Sequence, residues 1–199
     1  GVRAVLEALE VGELLLSAES DTAAPLTADA IRAARASGAR VSALRAGDTV
    51  AAGEIAVLWP PGASPSRRSE NDRSIVLECD IDGSKILLTG DIELAAERGL
   101  AERSAIPACG VLKVAHHGAA TSTCGEFVEA TWPALAIVSV GRGNRYGHPD
   151  AAVLARLESS GAAVFRTDRD CAIVIDFGHE GIRARGVLSG REIRLPSER

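Results

Sequence analysis

The hydrophobic positions change period several times along the chain, and each change marks an element. Val2, Val5, Leu6 and Leu9 share one face of a helix at the start. Residues 13–17 follow as a short buried strand, and 20–25 is a loop of turn-forming residues. Residues 27–37 read as a helix that Thr27 could cap and Gly38 would end. Strands are expected over 40–44 and 54–59, with a turn at Gly47-Asp48 and a stop at Pro60-Pro61. A loop over 62–71 carries Pro65, Arg67, Arg68 and Glu70. Strands over 74–79 and 85–89 meet at Asp82-Gly83, a strong hairpin signal. Beyond them the pattern gives a helix over 92–101, a strand over 111–115, and a helix from about 123 to 130. A strand over 135–140 follows, then a helix over 149–159 opened by Pro149. Strands over 163–166, 172–177 and 182–186 close the domain, leaving about 187–199 as a tail.

Helix–strand units, then hairpins, then helix–strand units and hairpins again predict an α/β fold. Two sheets with helices on their outer faces would satisfy that order. No repeat of fixed period interrupts it, and 199 residues suit one domain. Aromatic residues make up only 3%, so the core must be built from Val, Leu, Ile and Ala. The net charge of −5 argues against gripping nucleic acid through bulk charge, so any such contact must be local or assisted by cations. No apolar run reaches the roughly 18 residues of a membrane-spanning helix. The chain opens on Gly1 and enters a helix at once, as a fragment of a longer protein would. Cys79, Cys109, Cys124 and Cys171 show no CxxC spacing and are expected to be packing residues.

Three stretches carry candidate chemistry. In Ile86-Leu87-Leu88-Thr89-Gly90-Asp91 an apolar strand ends, a glycine turns the chain, and a carboxylate sits at the tip. Strand tips of layered α/β folds are where ligands bind, and a carboxylate there is a hard ligand for one or two divalent cations. The plainer alternative is that Asp91 caps the following helix. In Val114-Ala115-His116-His117-Gly118 a buried strand ends in two imidazoles. Neighbouring residues of an extended chain point to opposite sides, so one histidine could bind metal while the other orients it or acts as a general acid. The alternative is a solvated pair. The third stretch, 139–149, holds three glycines, Arg142, Asn144, Arg145 and His148. Its arginines and asparagine could hold phosphate oxygens; a capped surface loop is the alternative. Asn71 in Asn71-Asp72-Arg73-Ser74 is a candidate substrate contact or part of a polar turn. Ser122 in Thr121-Ser122-Thr123 either holds a substrate oxygen or belongs to a helix cap. Thr167-Asp168 is expected in a hairpin turn, and His179 at an exposed, inert hairpin tip.

Taken together, NDRSIVL, ILLTGDIE, VLKVAHHG, AIVSVGRGNRYGHP and Arg166-Thr167-Asp168 resemble the C-terminal metallo-β-lactamase domain of the ComEC competence proteins. They run in that family's order over roughly half the chain. The resemblance implies a four-layer αβ/βα sandwich, here truncated at its N-terminus, with a metal site at its edge. It implies hydrolysis by a water ionised on two divalent ions, zinc or manganese. Asp91 would bridge them, with His116 and His148 as further ligands and His117 and His148 as candidates for proton transfer. Asn71, Ser122, Arg142, Asn144 and Arg145 would face the substrate. The family's setting implies a soluble domain of a bacterial plasma-membrane protein. Its partners would be DNA, single-stranded or duplex, the protein's own membrane channel and the DNA-uptake machinery.

One departure matters. The family's HxHxDH motif is absent from these 199 residues, and none of the four histidines has that spacing. The motif is expected just ahead of Gly1, so the fragment alone should have little activity. Two other readings stay open. One is an esterase on the same fold, against which the arginine-bearing glycine loop argues mildly. The other is a catalytically incomplete docking or gating module of a membrane channel.

Overall fold

The computed structural model describes residues 2–62 and 68–196, except the side chain of Ala52; the expectations for Pro65 and Arg67 fall outside them. The opening unit is α1 (Val2–Ala8), β1 (Glu13–Ser17), α2 (Pro25–Ala36) and β2 (Arg40–Leu44), with β1 and β2 paired in parallel. Its small core gathers Leu6, Ala34 and Ala39 with Leu14 and Val41. Of the apolar face predicted for α1 only Leu6 is buried; Val2, Val5 and Leu9 are exposed. Thr27 does not cap α2. Pro25 opens that helix instead, its fixed φ and missing N–H suiting a first turn, and Gly38 takes a φ of 85° just past its end.

Next come β3 (Thr49–Val50), β4 (Ile55–Trp59), β5 (Val76–Ile81) and β6 (Ser84–Leu88), an antiparallel run turned at Asp82-Gly83. The two-residue β3 was too short for its pattern to announce it. After β6 the pairing becomes parallel. α3 (Leu94–Glu102), α4 (Gly125–Thr131) and α5 (Ala151–Ser159) connect β6 to β7 (Val111–Lys113), β8 (Leu135–Val138) and β9 (Ala163–Arg166). The seven strands lie in chain order, β3 to β9. Thr167-Asp168, expected in a hairpin turn, instead opens a short helix, α6 (Thr167–Asp170). β10 (Ile173–Gly178), β11 (Gly181–Gly186) and β12 (Glu192–Leu195) form a separate antiparallel sheet. β12 lies in the stretch expected as a tail and pairs with β11 from Ile182 to Arg185. The class is α/β, as predicted, but the described residues form three sheets where the pattern suggested two.

The strands of the parallel half are buried on both faces, as covered parallel sheets are. Leu112, Ala136 and Val138 face a core shared with Ile92, Ala96, Leu100, Phe127, Val153 and Leu157 from α3, α4, α5 and the turn before α3. The alternate residues Val111, Leu135 and Phe165 pack instead with Ile182 and Ala184 of β11. A period of two in β7, β8 and β9 thus joins a helical layer, the large sheet and the small sheet. Cys109 is buried; Cys171, expected to pack as a small hydrophobe, is exposed ahead of β10.

One polar contact ties the antiparallel half to the parallel half. Asp72 is buried, and its Oδ1 accepts from the N–H groups of Glu93 (2.8 Å) and Ala96 (3.2 Å), the cap and third residue of α3. Its carbonyl accepts from the buried Trp59 Nε1 at 2.7 Å. The helix therefore takes its N-terminal cap from a residue twenty-one positions upstream of Glu93 rather than from its own start. Replacing Asp72 with Ala strands two backbone donors; we expect a loss of about 2 kcal/mol in stability, read as a lower guanidinium midpoint with an unchanged slope.

Candidate functional site

Parallel pairing sends the carboxyl ends of β6, β7, β8 and β9 to one edge of the sheet. Each strand there runs into one of the polar stretches singled out above. The Gly90-Asp91 turn is held from two sides. Asp91 N donates to Ser74 Oγ at 3.2 Å, and Lys113 Nζ donates to the Gly90 carbonyl at 2.9 Å and that of Val114 at 3.2 Å. Gly90 has a φ of 57°, and a Cβ there would stand 2.7 Å from Ser74 Cβ, so only glycine fits. Asp91 does not cap α3, which starts at Leu94, leaving its carboxylate free and 41% exposed. Lys113 stands 3.9 Å from Asp91, and burial lowers its pKa, opposed in part by that carboxylate.

His116 and His117 do not sit on an extended chain. Both take left-handed backbone conformations, with φ of 45° and 55°, followed by Gly118 at 79°. Non-glycine residues held in this region cost about 1–3 kcal/mol each and gather at functional sites. The turn separates the rings by 6.4 Å and gives them different neighbours. His117 Nδ1 lies 2.6 Å from the Ser139 carbonyl, while its Nε2 lies 3.8 Å from Asp91 Oδ1. A carbonyl only accepts, so Nδ1 carries the hydrogen. In the neutral ring Nε2 then presents a lone pair towards a carboxylate oxygen. His116 Nδ1 is buried without a hydrogen-bond partner, 3.4 Å from Glu93 Oε1. Glu93 accepts from Thr121 Oγ1 at 2.6 Å, and chiefly that bond holds its carboxyl below the usual range.

The HHG turn is pressed against the third loop. A Cβ on Gly118 would come within 2.6 Å of Pro149 Cβ, and Asp150 N donates to the Gly118 carbonyl at 2.8 Å. This contact brings the His148 ring within 5.7 Å of His116. The loops carrying Asp91 and the three histidines therefore lie along one edge, joined by the Asp91–His117, His116–His117 and His116–His148 approaches.

The predicted substrate contacts fare unevenly. Asn71 lines a cavity of about 430 Å³ with Ser17, Thr27, Arg73, Ser74 and Asp91, and so opens onto the candidate carboxylate. Ser122 does not join the site: it is buried, and its hydroxyl donates to the carbonyls of Ala115 and Ala119, each at 3.0 Å. Asn144 spends its whole carboxamide on its own loop. It donates to the Gly141 and His148 carbonyls and accepts from Tyr146 N and His148 N. It shapes the loop that carries His148 and has no donor left for a phosphate. Arg142 donates to the Asp168 carbonyl at 3.2 Å, and Arg145 lies 5.4 Å over the Tyr146 ring; both are exposed. His179 is at an exposed hairpin tip. Sequence reasoning gave no site role to Lys113, Glu93 or Ser74. Lys113 stood as the one charge inside VLKVA, a signal that could have been followed; Glu93 and Ser74 lay within the quoted stretches but carried no role of their own.

A cation site can be tested on the donors present. Ligands about 2 Å from a shared ion stand roughly 3–4 Å from each other, and Asp91 Oδ1 and His117 Nε2 meet that spacing. Among the described residues no group of three or more His, Cys, Asp or Glu is close enough to hold an ion by itself. The residues fit one edge of a metal shell, not a whole one.

No family model matches the chain. It is similar to ComE operon protein 3 of Bacillus subtilis, 35% identical over 145 residues, which are 72% of this chain and 18% of that protein. Competence protein ComA of Neisseria gonorrhoeae is 34% identical over 125 residues, 61% of this chain and 18% of that protein. Recombination protein 2 of Haemophilus influenzae is 34% identical over 110 residues, 55% of this chain and 14% of that protein. The chain thus spans less than a fifth of the length of these curated relatives. No described helix is long and apolar enough to cross a membrane.

At the tip of β9, Arg166 donates to both oxygens of Asp168, at 3.0 and 2.7 Å, and this pairing lowers the Asp168 pKa. A lowered folded value means stability that is complete above the unfolded pKa of about 3.9 and lost as pH falls through the folded one. Asp168→Asn should therefore be less stable than the wild type at neutral pH. Denaturation midpoints of the two should converge as the pH drops below 4.

Proposed function

We propose that this chain is the hydrolytic domain of a competence-type DNA-uptake protein. It would be a metal-dependent phosphodiesterase built as a metallo-β-lactamase-like four-layer sandwich. One observation carries the reading: Asp91 Oδ1 and His117 Nε2, both electron-pair donors, stand 3.8 Å apart at the open edge of a parallel sheet. With His117 neutral the two lone pairs repel, and a divalent cation between them would turn that repulsion into attraction. Similarity to proteins named for competence and recombination makes DNA the substrate of choice.

A divalent ion held here supplies a water acidic enough to ionise near neutral pH. Asp91 and His117 would hold one side of that ion, and residues outside these 199, where the resemblance expects HxHxDH, would hold the rest. His117 would thus move from proton transfer, its expected task, to the ion, because its Nε2 faces the Asp91 carboxylate. Lys113 and Ser74 keep the Asp91 turn in place. Glu93 Oε1 stands 3.4 Å from His116 Nδ1, close enough to take the carboxylate's place behind that imidazole once the two groups align. His148, whose loop is held by Asn144 and the Gly118–Pro149 contact, would hold the proton for the leaving oxygen. The channel portion of the full protein and the uptake machinery would be its partners.

The test uses the full-length protein with manganese or zinc and single- or double-stranded DNA. Asp91→Ala and His117→Ala should each lower the rate by about 10²- to 10⁴-fold and release metal on dialysis. Equal rates for Asp91→Ala and the wild type would sink the proposal. The docking-module reading is favoured by one observation, the lack of a three-ligand group among the described residues. It predicts no metal uptake and no hydrolysis by the full protein. Generic esters in the same assay separate the esterase reading.

A further inference from the structure

A second cavity, about 440 Å³, has His117 in its wall but not Asp91. Its walls include His117, Val140, Gly141, Asn144, Tyr146 and His148. Tyr146 is 68% exposed, unusual for the single tyrosine of a chain so poor in aromatics. Nor is it a loose surface residue: its ring stacks on His148 at 5.9 Å and 16°, and His148 in turn meets His116 at 5.7 Å. A run of three rings therefore leads from solvent at Tyr146 through His148 to His116.

We propose that this cavity holds an unpaired nucleobase of the strand whose phosphodiester lies at Asp91 and His117. The inference rests on the function proposed above for the choice of a phosphodiester polymer as ligand. His117 belongs to both sites, so a base and its own backbone phosphate would be served by adjoining spaces. A flat π-surface beside a backbone-lined slot accepts any base by stacking. Three polar side chains around it are committed within the fold: the Asn144 carboxamide is spent on its loop, Thr167 Oγ1 bonds Val140 N and O, and His117 Nδ1 bonds Ser139 O. The site should prefer single strands, since a paired base must first leave its stack. Arg145, over the Tyr146 ring, adds local positive charge to a chain of net charge −5.

The experiment measures binding by fluorescence anisotropy, with chelator present so that the strand stays whole. The full-length protein is titrated with a labelled single-stranded oligonucleotide, and with one of equal length and charge carrying abasic sites. We expect the wild type to bind the strand with bases about tenfold more tightly. Tyr146→Ala should bring that ratio to within twofold of one, whereas Tyr146→Phe, which keeps the ring, should preserve it. Equal affinity of the wild type for both strands, or an unchanged ratio in Tyr146→Ala, would overturn the base pocket and leave the hydrolase proposal standing. A base-dependent ratio that Tyr146 controls, in a protein that hydrolyses nothing, would overturn the hydrolase and keep the pocket.

Discussion

Four adjacent strands paired in parallel, β6 to β9, impose the condition on which the site depends. Parallel strands end on the same edge, so Thr89-Gly90-Asp91, the HHG turn, the glycine-rich loop and the Arg166–Asp168 corner must meet there. The sheet can hold this arrangement because both its faces are covered. One face packs on α3, α4 and α5, the other on β10 to β12. Were either layer lost, Val111, Leu135 and Phe165, or Leu112, Ala136 and Val138, would face water, and the loops would lose their common frame.

That frame also explains how unfavourable backbone is tolerated at the edge. Two consecutive histidines with positive φ are stable only if their surroundings leave them no alternative. Here Gly118 is pressed on Pro149, His116 N donates to the Gly90 carbonyl at 3.3 Å, and Ser139 holds the His117 ring. These contacts come from the loop after β6 and the loop after β8. The cost of the turn is therefore spread over the whole sheet edge, and the imidazoles are aimed before any ligand arrives. Behind the HHG turn, the buried Glu97 performs a similar service. It accepts from the backbone N–H groups of Thr123 and Cys124, although burial raises its own pKa.

The loop that carries His148 shows how misleading a polar residue can be when read alone. Asn144 has the chemistry of a phosphate contact and the position of one, yet its carboxamide is consumed in giving the loop its shape. Ser122 is a like case, its hydroxyl bonding backbone in the interior. Tyr146, by contrast, drew no notice in the sequence and proves to be the exposed end of an aromatic stack. Hydrogen-bond capacity is a property of a residue type, but whether any remains free depends on neighbours that the local pattern does not show.

What this protein's sequence determined by itself is its local order. Alternation and apolar runs located most strands and helices, Asp82-Gly83 its hairpin, and the polar endings of three strands the loops that share one sheet edge. These are short-range effects, set by periodicity and by the φ preferences of glycine and proline. Tertiary structure alone decided the rest. It made β12 a strand, capped α3 with Asp72, left Asp91 free of capping duty, and chose His117 over its neighbour to face that carboxylate. Each of those outcomes turns on a hydrogen bond or strand pairing between residues several to more than twenty positions apart, whose existence depends on packing that no local window of the chain contains.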